Sequence, residues 1–374
     1  MILDNILNVL KKIKDPESGK DIISLKAVKS LEKSDAGISF KLEFAKTNPF
    51  LNSIKKASEK LLKEEFGENI SVNIITTEPR KIETQKISIG RTDEGTTLPQ
   101  TKNIIAVASG KGGVGKSTVA ANLAVALSKK GAKVGLLDAD IYGPSQIKMF
   151  GVEGVRPEIT KKDGKDQIIP VEAHGIKMLS IGFFVKETDA LIWRGPMATG
   201  AIKQLINDAD WGELDYMIVD LPPGTGDIHL TMVQTVPITG AIIVSTPQEV
   251  ALIDAQRGVS MFQAEKIEVP VLGFVENMSW FTPKELPDNK YYIFGKDGLK
   301  KLAEKDGIPL LGQIPIVQSI REDGDNGRPS ALEDDTTISI AFNKLADNVT
   351  KIVEERNKTL DPTKVVEIDP NASC

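Results

Sequence analysis

The run Gly110-Lys111-Gly112-Gly113-Val114-Gly115-Lys116-Ser117 fits the pattern G-x-x-x-x-G-K-[ST], and the chemistry it supports is the holding of a phosphate chain. Glycines at Gly110, Gly112, Gly113 and Gly115 permit backbone angles and close approaches that a side chain blocks, so the N–H groups of the loop, including those of Val114 and Thr118, can wrap phosphate oxygens. Lys116 then serves the β- and γ-phosphates and Ser117 a Mg²⁺ ion. Lys111 is surplus to that pattern. A second ammonium would crowd Lys116 if both served one phosphate tail, so Lys111 is expected to reach nucleotide held by a second copy of the chain.

Three further groups of polar residues end apolar runs. Val134-Gly135-Leu136-Leu137 delivers Asp138-Ala139-Asp140, two acids that can serve Mg²⁺ or orient an attacking water. Asp138 reads equally as a buried acid tying a strand end to nearby N–H groups. Tyr216-Met217-Ile218-Val219-Asp220 places a carboxylate where it supports the shell of a metal ion. The following Leu221-Pro222-Pro223-Gly224-Thr225-Gly226-Asp227 suits a loop that responds to a γ-phosphate, with Asp227 as a second coupling carboxylate. Glu276-Asn277 ends another run, and Gln313-Ile314-Pro315-Ile316 leads into Ser319 to Gly324, read as a loop near the nucleotide base or a dimer seam.

These residues need a scaffold that brings strand ends together. Short apolar strands are expected at 104–108, 134–138, 178–181, 217–220, 241–245, 271–276 and 310–313, with helices between several of them, at 118–130, 198–210 and 249–265. Continuous apolar strands joined by helical crossovers predict an α/β domain over 102–356, a mostly parallel sheet covered on both faces, closed by a helix at 336–356. Ligand then belongs at the carboxyl ends of the strands. Residues 1–80 read as a small α+β domain with helices at 2–13 and 51–66 and strands at 21–31, 37–44 and 70–76. Residues 81–101 lose periodicity and read as a linker, and 357–374 as a polar tail.

Composition narrows the function classes. The 374 residues carry 47 Lys and Arg against 52 Asp and Glu, a formal charge of −5, which argues against a nucleic-acid surface or an anionic-membrane surface. No apolar run approaches membrane-spanning length and the first residues do not resemble a secretion signal, so a cytoplasmic location is expected. One cysteine, Cys374, excludes an intrachain disulfide framework, and two histidines, His174 and His229, exclude a histidine-rich metal centre.

The two-lysine loop resembles the deviant Walker A class, which includes MinD, ParA and the nitrogenase iron protein. That resemblance implies ATP and Mg²⁺ as ligands, a homodimer in which Lys111 crosses to the partner's phosphates, Asp140 as the acid that activates water, and Asn277 as a reader of adenine. Together with Asp138-Ala139-Asp140-Ile141-Tyr142-Gly143-Pro144-Ser145, Trp193-Arg194-Gly195-Pro196-Met197, the Asp220 to Asp227 segment, Thr246-Pro247-Gln248-Glu249 and Glu276-Asn277-Met278-Ser279, the loop is similar to the Mrp/ApbC family of ATPases. Asp15-Pro16-Glu17-Ser18-Gly19-Lys20-Asp21-Ile22 resembles the cluster-assembly domain that many bacterial members carry in front.

This resemblance implies an ATPase that binds iron–sulfur clusters and transfers them to apoprotein clients, or assists their assembly. The family usually has Cys-x-x-Cys soon after Asn-Met-Ser, letting a dimer bridge a [4Fe–4S] cluster. Here the sequence runs Asn277-Met278-Ser279-Trp280-Phe281-Thr282-Pro283-Lys284-Glu285, and Cys374, the one thiol left as a ligand, reads also as a free thiol of no special role. Two alternatives stand beside that reading: a MinD- or ParA-like positioning ATPase, and an ATP-dependent scaffold that holds no cluster itself.

Overall fold

A computed structural model describes residues 2–16, 19–25, 27–34, 37–44, 48, 50–67, 70–77, 97–162, 164–184, 195–283, 285–286 and 288–366. Cys374, Trp193, Arg194 and most of the expected linker lie outside the described residues. The chain divides into two compact units, Met1–Glu94 and Gly95–Cys374.

In the first unit, α1 (Ile2–Leu10), β1 (Val28–Ser34), β2 (Gly37–Glu43), α2 (Leu51–Phe66) and β3 (Val72–Thr77) follow one another. β2 pairs antiparallel with β1 and parallel with β3. A parallel neighbour requires a crossover, and α2 is that crossover. Ile38, Phe40 and Leu42 alternate along β2 onto the face that receives Ile54 and Leu62 of α2, all of them buried in one apolar cluster. The strand expected at 21–31 begins only at Val28. Asp21 instead accepts the backbone N–H groups of Ile23 and Ser24 at 3.1 and 2.8 Å, which commits that stretch to a turn.

The second unit opens with β4 (Thr101–Ala108), α3 (Lys116–Lys129), β5 (Val134–Asp138), the single-turn α4 (Gln146–Met149), a hairpin of β6 (Glu158–Lys162) and β7 (Lys165–Ile169), then β8 (Val171–Ala173) and β9 (Ile176–Ser180). It continues through α5 (Gly195–Asn207), β10 (Leu214–Asp220), α6 (Asp227–Thr235), β11 (Gly240–Ser245), α7 (Glu249–Phe262), β12 (Val271–Phe281), α8 (Gly298–Asp306), β13 (Leu310–Ile316), α9 (Gln318–Asp325) and α10 (Thr337–Thr359).

Eight strands form one sheet in the order β13-β12-β11-β4-β10-β5-β9-β8. Every pairing is parallel except that of β8 with β9 at one edge. All residues of β5 and β11, and Asn103 to Ala108 of β4, are buried, as strands covered on both faces require. β4 lies between β11 and β10, and β10 between β4 and β5, so the residues following β4, β5 and β10 emerge side by side. Register sharpens this: Asp220 is level with Asp138, and Asp138 with Ser180. Adjacent strands are about 4.8 Å apart, so the fold itself forces the two carboxyl groups together.

The surface hairpin β6–β7 was not foreseen from the sequence, because its residues are largely exposed and lack an apolar period. Nor does the stretch from Ser319 to Gly324 form the expected loop. It is part of α9, none of whose residues is buried and whose charges pair along the helix, as Arg321 does with Asp325 at 2.9 Å.

Candidate functional site

Between β4 and α3 the glycine-rich segment makes the turn its composition suggested. Gly113 and Gly115 take φ values of 82° and 81°, in the left-handed region that a side chain disfavours. A Cβ on Gly110 would collide with the carbonyl oxygen of Asp254 in α7, and one on Gly115 with the amide of Asn277. α3 begins at Lys116 with no side-chain cap on its first turn, so its leading N–H groups are available to an anion. The loop after β10 is tied to this turn, since Gly224 N–H donates to the Ser109 carbonyl at 2.9 Å.

Behind the turn lies a buried charge cluster. The Lys116 ammonium, 6 % exposed, donates to Asp220 Oδ1 at 2.5 Å and to Ser117 Oγ at 3.1 Å, and stands 3.8 Å from Asp140 Oδ2. Asp220 is completely buried, and its Oδ2 accepts from Gln146 Nε2 at 2.8 Å. Asp138 accepts from the backbone N–H groups of Asp140 and Gln146, each at 3.2 Å, and from Ser180 Oγ at 3.0 Å. Burial, and after it the neighbouring Asp220 carboxylate, push the Asp138 carboxyl up to about 8. That shift works against the backbone N–H groups and the hydroxyl that favour the ionised form, in a group whose two oxygens tie strand ends together. Asp140 is also raised, by burial against the opposing pull of Lys116. Three carboxyls share one ammonium, and burial of that excess negative charge disfavours the ionised forms of Asp138 and Asp140 alike.

A cleft of about 380 Å³ opens beside this cluster, lined by Gly115, Thr118, Asn277, Pro315, Ile320 and Arg321 among others. Asn277 donates from Nδ2 to the Val114 carbonyl at 2.8 Å, so it clamps the end of β12 to the glycine-rich turn. Pro315, near the end of β13, and Thr118, in the first turn of α3, both face the same cleft. A mostly apolar recess bordered by a few polar groups and continuous with an anion-binding turn has the make-up of a nucleotide-base site.

The expected residues fall into two sets. Lys116, Ser117, Asp138, Asp140 and Asp220 converge within hydrogen-bonding or ion-pair reach, and Gly115, Thr118, Asn277 and Pro315 border the adjoining cleft. Lys111 is half-buried on the turn, and its ammonium takes no partner among the described residues. Asp227 stands apart, exposed in the first turn of α6, where its charge complements the helix N-terminus. The donor set fits Mg²⁺: a serine hydroxyl and a carboxylate lie side by side around the lysine, and Gln146 Oε1, buried in the same cluster, has no hydrogen-bond donor.

The family described as NUBPL iron-transfer P-loop NTPase matches residues 100–350, more than half of the chain, and that described as iron–sulfur cluster assembly protein matches residues 3–74. An iron–sulfur cluster carrier protein of Synechocystis sp. is 44% identical over 338 residues, covering 90% of this chain and 93% of its own length. The chain belongs to the iron–sulfur cluster carrier family of P-loop NTPases. A carrier protein of Haemophilus influenzae is 43% identical over 350 residues, 92% of this chain and 90% of its own. Among solved structures, a nucleotide-binding protein of Archaeoglobus fulgidus in complex with ADP is 39% identical, with a TM-score of 0.56 over 64% of this chain and 92% of that one.

Against that family background, the segment after Asn277 is the point of departure. β12 runs on through Trp280 and Phe281, and Phe281 exchanges both backbone hydrogen bonds with Tyr291 at 2.8 Å to close a ribbon. Lys290 lies over the Trp280 ring at 4.0 Å and Lys296 over Tyr292 at 5.0 Å. Tyr291, Tyr292 and Ile293 are exposed. No group of three or more His, Cys, Asp or Glu side chains able to hold a metal occurs among the described residues. The carrier-family chain therefore presents aromatic rings and lysines where the resemblance leads one to expect thiolates.

Two buried residues escaped the sequence reading. Gln146 sits next to the recognised Asp138 to Ser145 run, but an amide after a serine carries no signal of its own. His229, 1 % exposed in α6, has neither ring nitrogen hydrogen-bonded, and burial lowers it to about 4. Its place in the apolar face of a helix after a Pro-Gly loop reads as ordinary core.

Proposed function

We propose that this chain binds ATP with Mg²⁺, hydrolyses it as a homodimer, and uses the cycle to bind iron–sulfur clusters and pass them to apoproteins, or to assist their assembly. The observation that carries this reading is the buried Lys116–Asp220–Asp140 cluster behind an uncapped glycine-rich turn, on a chain of the cluster-carrier family. The ADP held by the Archaeoglobus fulgidus relative supports nucleotide at this turn.

Each residue has a defined task. Backbone N–H groups from Gly112 to Thr118 receive phosphate oxygens, and Lys116 shares its ammonium between Asp220 and the phosphate tail. Ser117 Oγ and Asp220, directly or through water, would hold Mg²⁺, which supplies charge neutralisation on the β- and γ-oxygens. Asp140, partly retained from solvent, orients the attacking water. Asn277 and Pro315 position the base, and the Gly224 contact with Ser109 links phosphate occupancy to the loop that ends at Asp227. Lys111, without a partner among the described residues of its own subunit, serves the neighbour's phosphates.

Replacing Lys111 with Ala tests the dimeric switch. Nucleotide affinity is expected to persist while turnover falls on the order of a thousandfold. Unchanged turnover removes the cross-subunit role.

Cargo is a separate question, because Thr282 to Glu285 offers no thiol and Cys374 lies in the polar tail. The aromatic ribbon favours a second reading, a scaffold that uses ATP to drive assembly without holding the cluster. Anaerobic reconstitution with iron and sulfide distinguishes them. Bound iron and sulfide lost in Cys374→Ser supports carriage through the tail thiol, and no incorporated iron supports the scaffold.

A further inference from the structure

The amide of Gln146 is completely buried and both of its N–H groups are spent on the phosphate site. One donates to the Ser117 carbonyl, in the first turn of α3, at 3.0 Å, and the other to Asp220 Oδ2 at 2.8 Å. The backbone N–H of the same residue donates to Asp138 Oδ2 at 3.2 Å. A single residue thus bridges the helix after the glycine-rich turn, the end of β10 and the end of β5. The reverse orientation of the amide would set a carbonyl oxygen against two acceptors, so the hydrogen-bond partners leave one assignment.

A carboxylate turns freely about its last side-chain bond unless both oxygens are held. Asp220 is held on Oδ1 by Lys116 and on Oδ2 by Gln146. Lys116 is also the residue that must share its ammonium with a phosphate tail, so during that exchange the Gln146 amide is what keeps the carboxylate aimed. The neighbouring residues Ser145, Lys148 and Met149 line the cleft, which puts the two ends of α4 on the two parts of the nucleotide site. Gln146 Oε1, an acceptor, and the Ser145 hydroxyl, which can donate or accept, are both buried without a hydrogen-bond partner at the start of this one helical turn.

We infer that Gln146 is a positioning residue for the metal–nucleotide complex: through Asp220 and the Ser117 carbonyl it locks the carboxylate and the first turn of α3 in one arrangement, so that the Mg²⁺ requirement of nucleotide binding depends on α4. This rests on the proposed ATP and Mg²⁺ site. Methionine has the length but no N–H group, so the role belongs to the amide and not to the volume it fills. Outer partners of metal-holding side chains change metal affinity about tenfold to a hundredfold when removed.

The test titrates Mg²⁺ against the full chain and a fluorescent ATP analogue, for wild type and for Gln146→Met, which keeps the shape and loses both donors. The Mg²⁺ concentration for half-maximal binding is expected to rise about tenfold or more, with analogue binding in EDTA lowered by a smaller factor. Gln146→Leu, which also lacks a donor and adds no charge, supplies the same comparison if the methionine variant does not fold. A midpoint within about twofold of wild type, or an equal loss of affinity with and without Mg²⁺, overturns the inference by making Gln146 merely structural, as does failure of both variants to fold. Wild-type chain that binds no analogue at any Mg²⁺ concentration overturns the proposed function itself.

Discussion

The ends of β5 and β10 and the end of β12 emerge from the same edge of one sheet, yet they are built on opposite principles. At β5 and β10, Asp138 and Asp220 are out of water, level with each other, and every oxygen is claimed by a lysine, an amide, a hydroxyl or a backbone N–H. At β12, the chain passes Asn277 and runs into an exposed ribbon held by one backbone pair and two lysine–ring contacts. Buried charges tolerate little change, because removing one partner strands another. The ribbon has solvent on its open side and can exchange residue types cheaply. That difference is consistent with a family member whose glycine-rich turn and buried charge cluster are intact while the segment after Asn277 lacks the expected thiol pair.

The largest effect should come from Lys116→Met, which leaves Asp220 buried without its cation. Unfolding in urea is expected to show a loss of about 3–5 kcal/mol together with loss of nucleotide binding. A smaller loss of stability would mean that the cluster is wetter than its burial indicates.

His229 tests the same interior by pH. Its folded value, about 4, lies below the ordinary 6.5, so between those values the unfolded chain binds the extra proton. Stability is therefore full above pH 6.5 and declines as pH falls towards 4, by about 3 kcal/mol when integrated. Asp138, raised instead, works in the opposite direction, since its folded form binds the extra proton between 3.8 and about 8 and loses stability as pH rises. Melting His229→Leu and wild type side by side at pH 5 and 7.5 cancels that shared contribution. The variant is expected to lose less on acidification, and equal losses would place solvent at the imidazole.

On the ribbon, Lys290→Met removes the ammonium over Trp280 and should cost about 0.5–1 kcal/mol, with nucleotide affinity unchanged. A drop in affinity comparable to that of Lys116→Met would erase the division between the two strand ends.

Much of the site was legible because its parts are local. Glycines flanking a lysine and serine, preceded by Ile104 to Ala108, spell a strand, turn and helix within one short segment. The acid at the end of each apolar run was likewise visible, including the alternative that Asp138 ties strand ends together. Asp227 was read as a coupling group, and its exposed place on α6 could not be inferred from a Pro-Gly loop alone. The stretch after Pro315 was read as a loop because its helix is too polar to show a periodic apolar face.

Sequence alone determined the glycine-rich turn, the buried parallel strands and the identity of the lysine and acids, since backbone permissiveness, apolar runs and charge are properties of neighbouring residues. Tertiary structure decided which acids burial pushes up, which is clamped, and that Gln146 joins them. Those outcomes depend on strand register and on partners as distant in the chain as Gln146 and Asp220, where burial multiplies the cost of any unmatched charge.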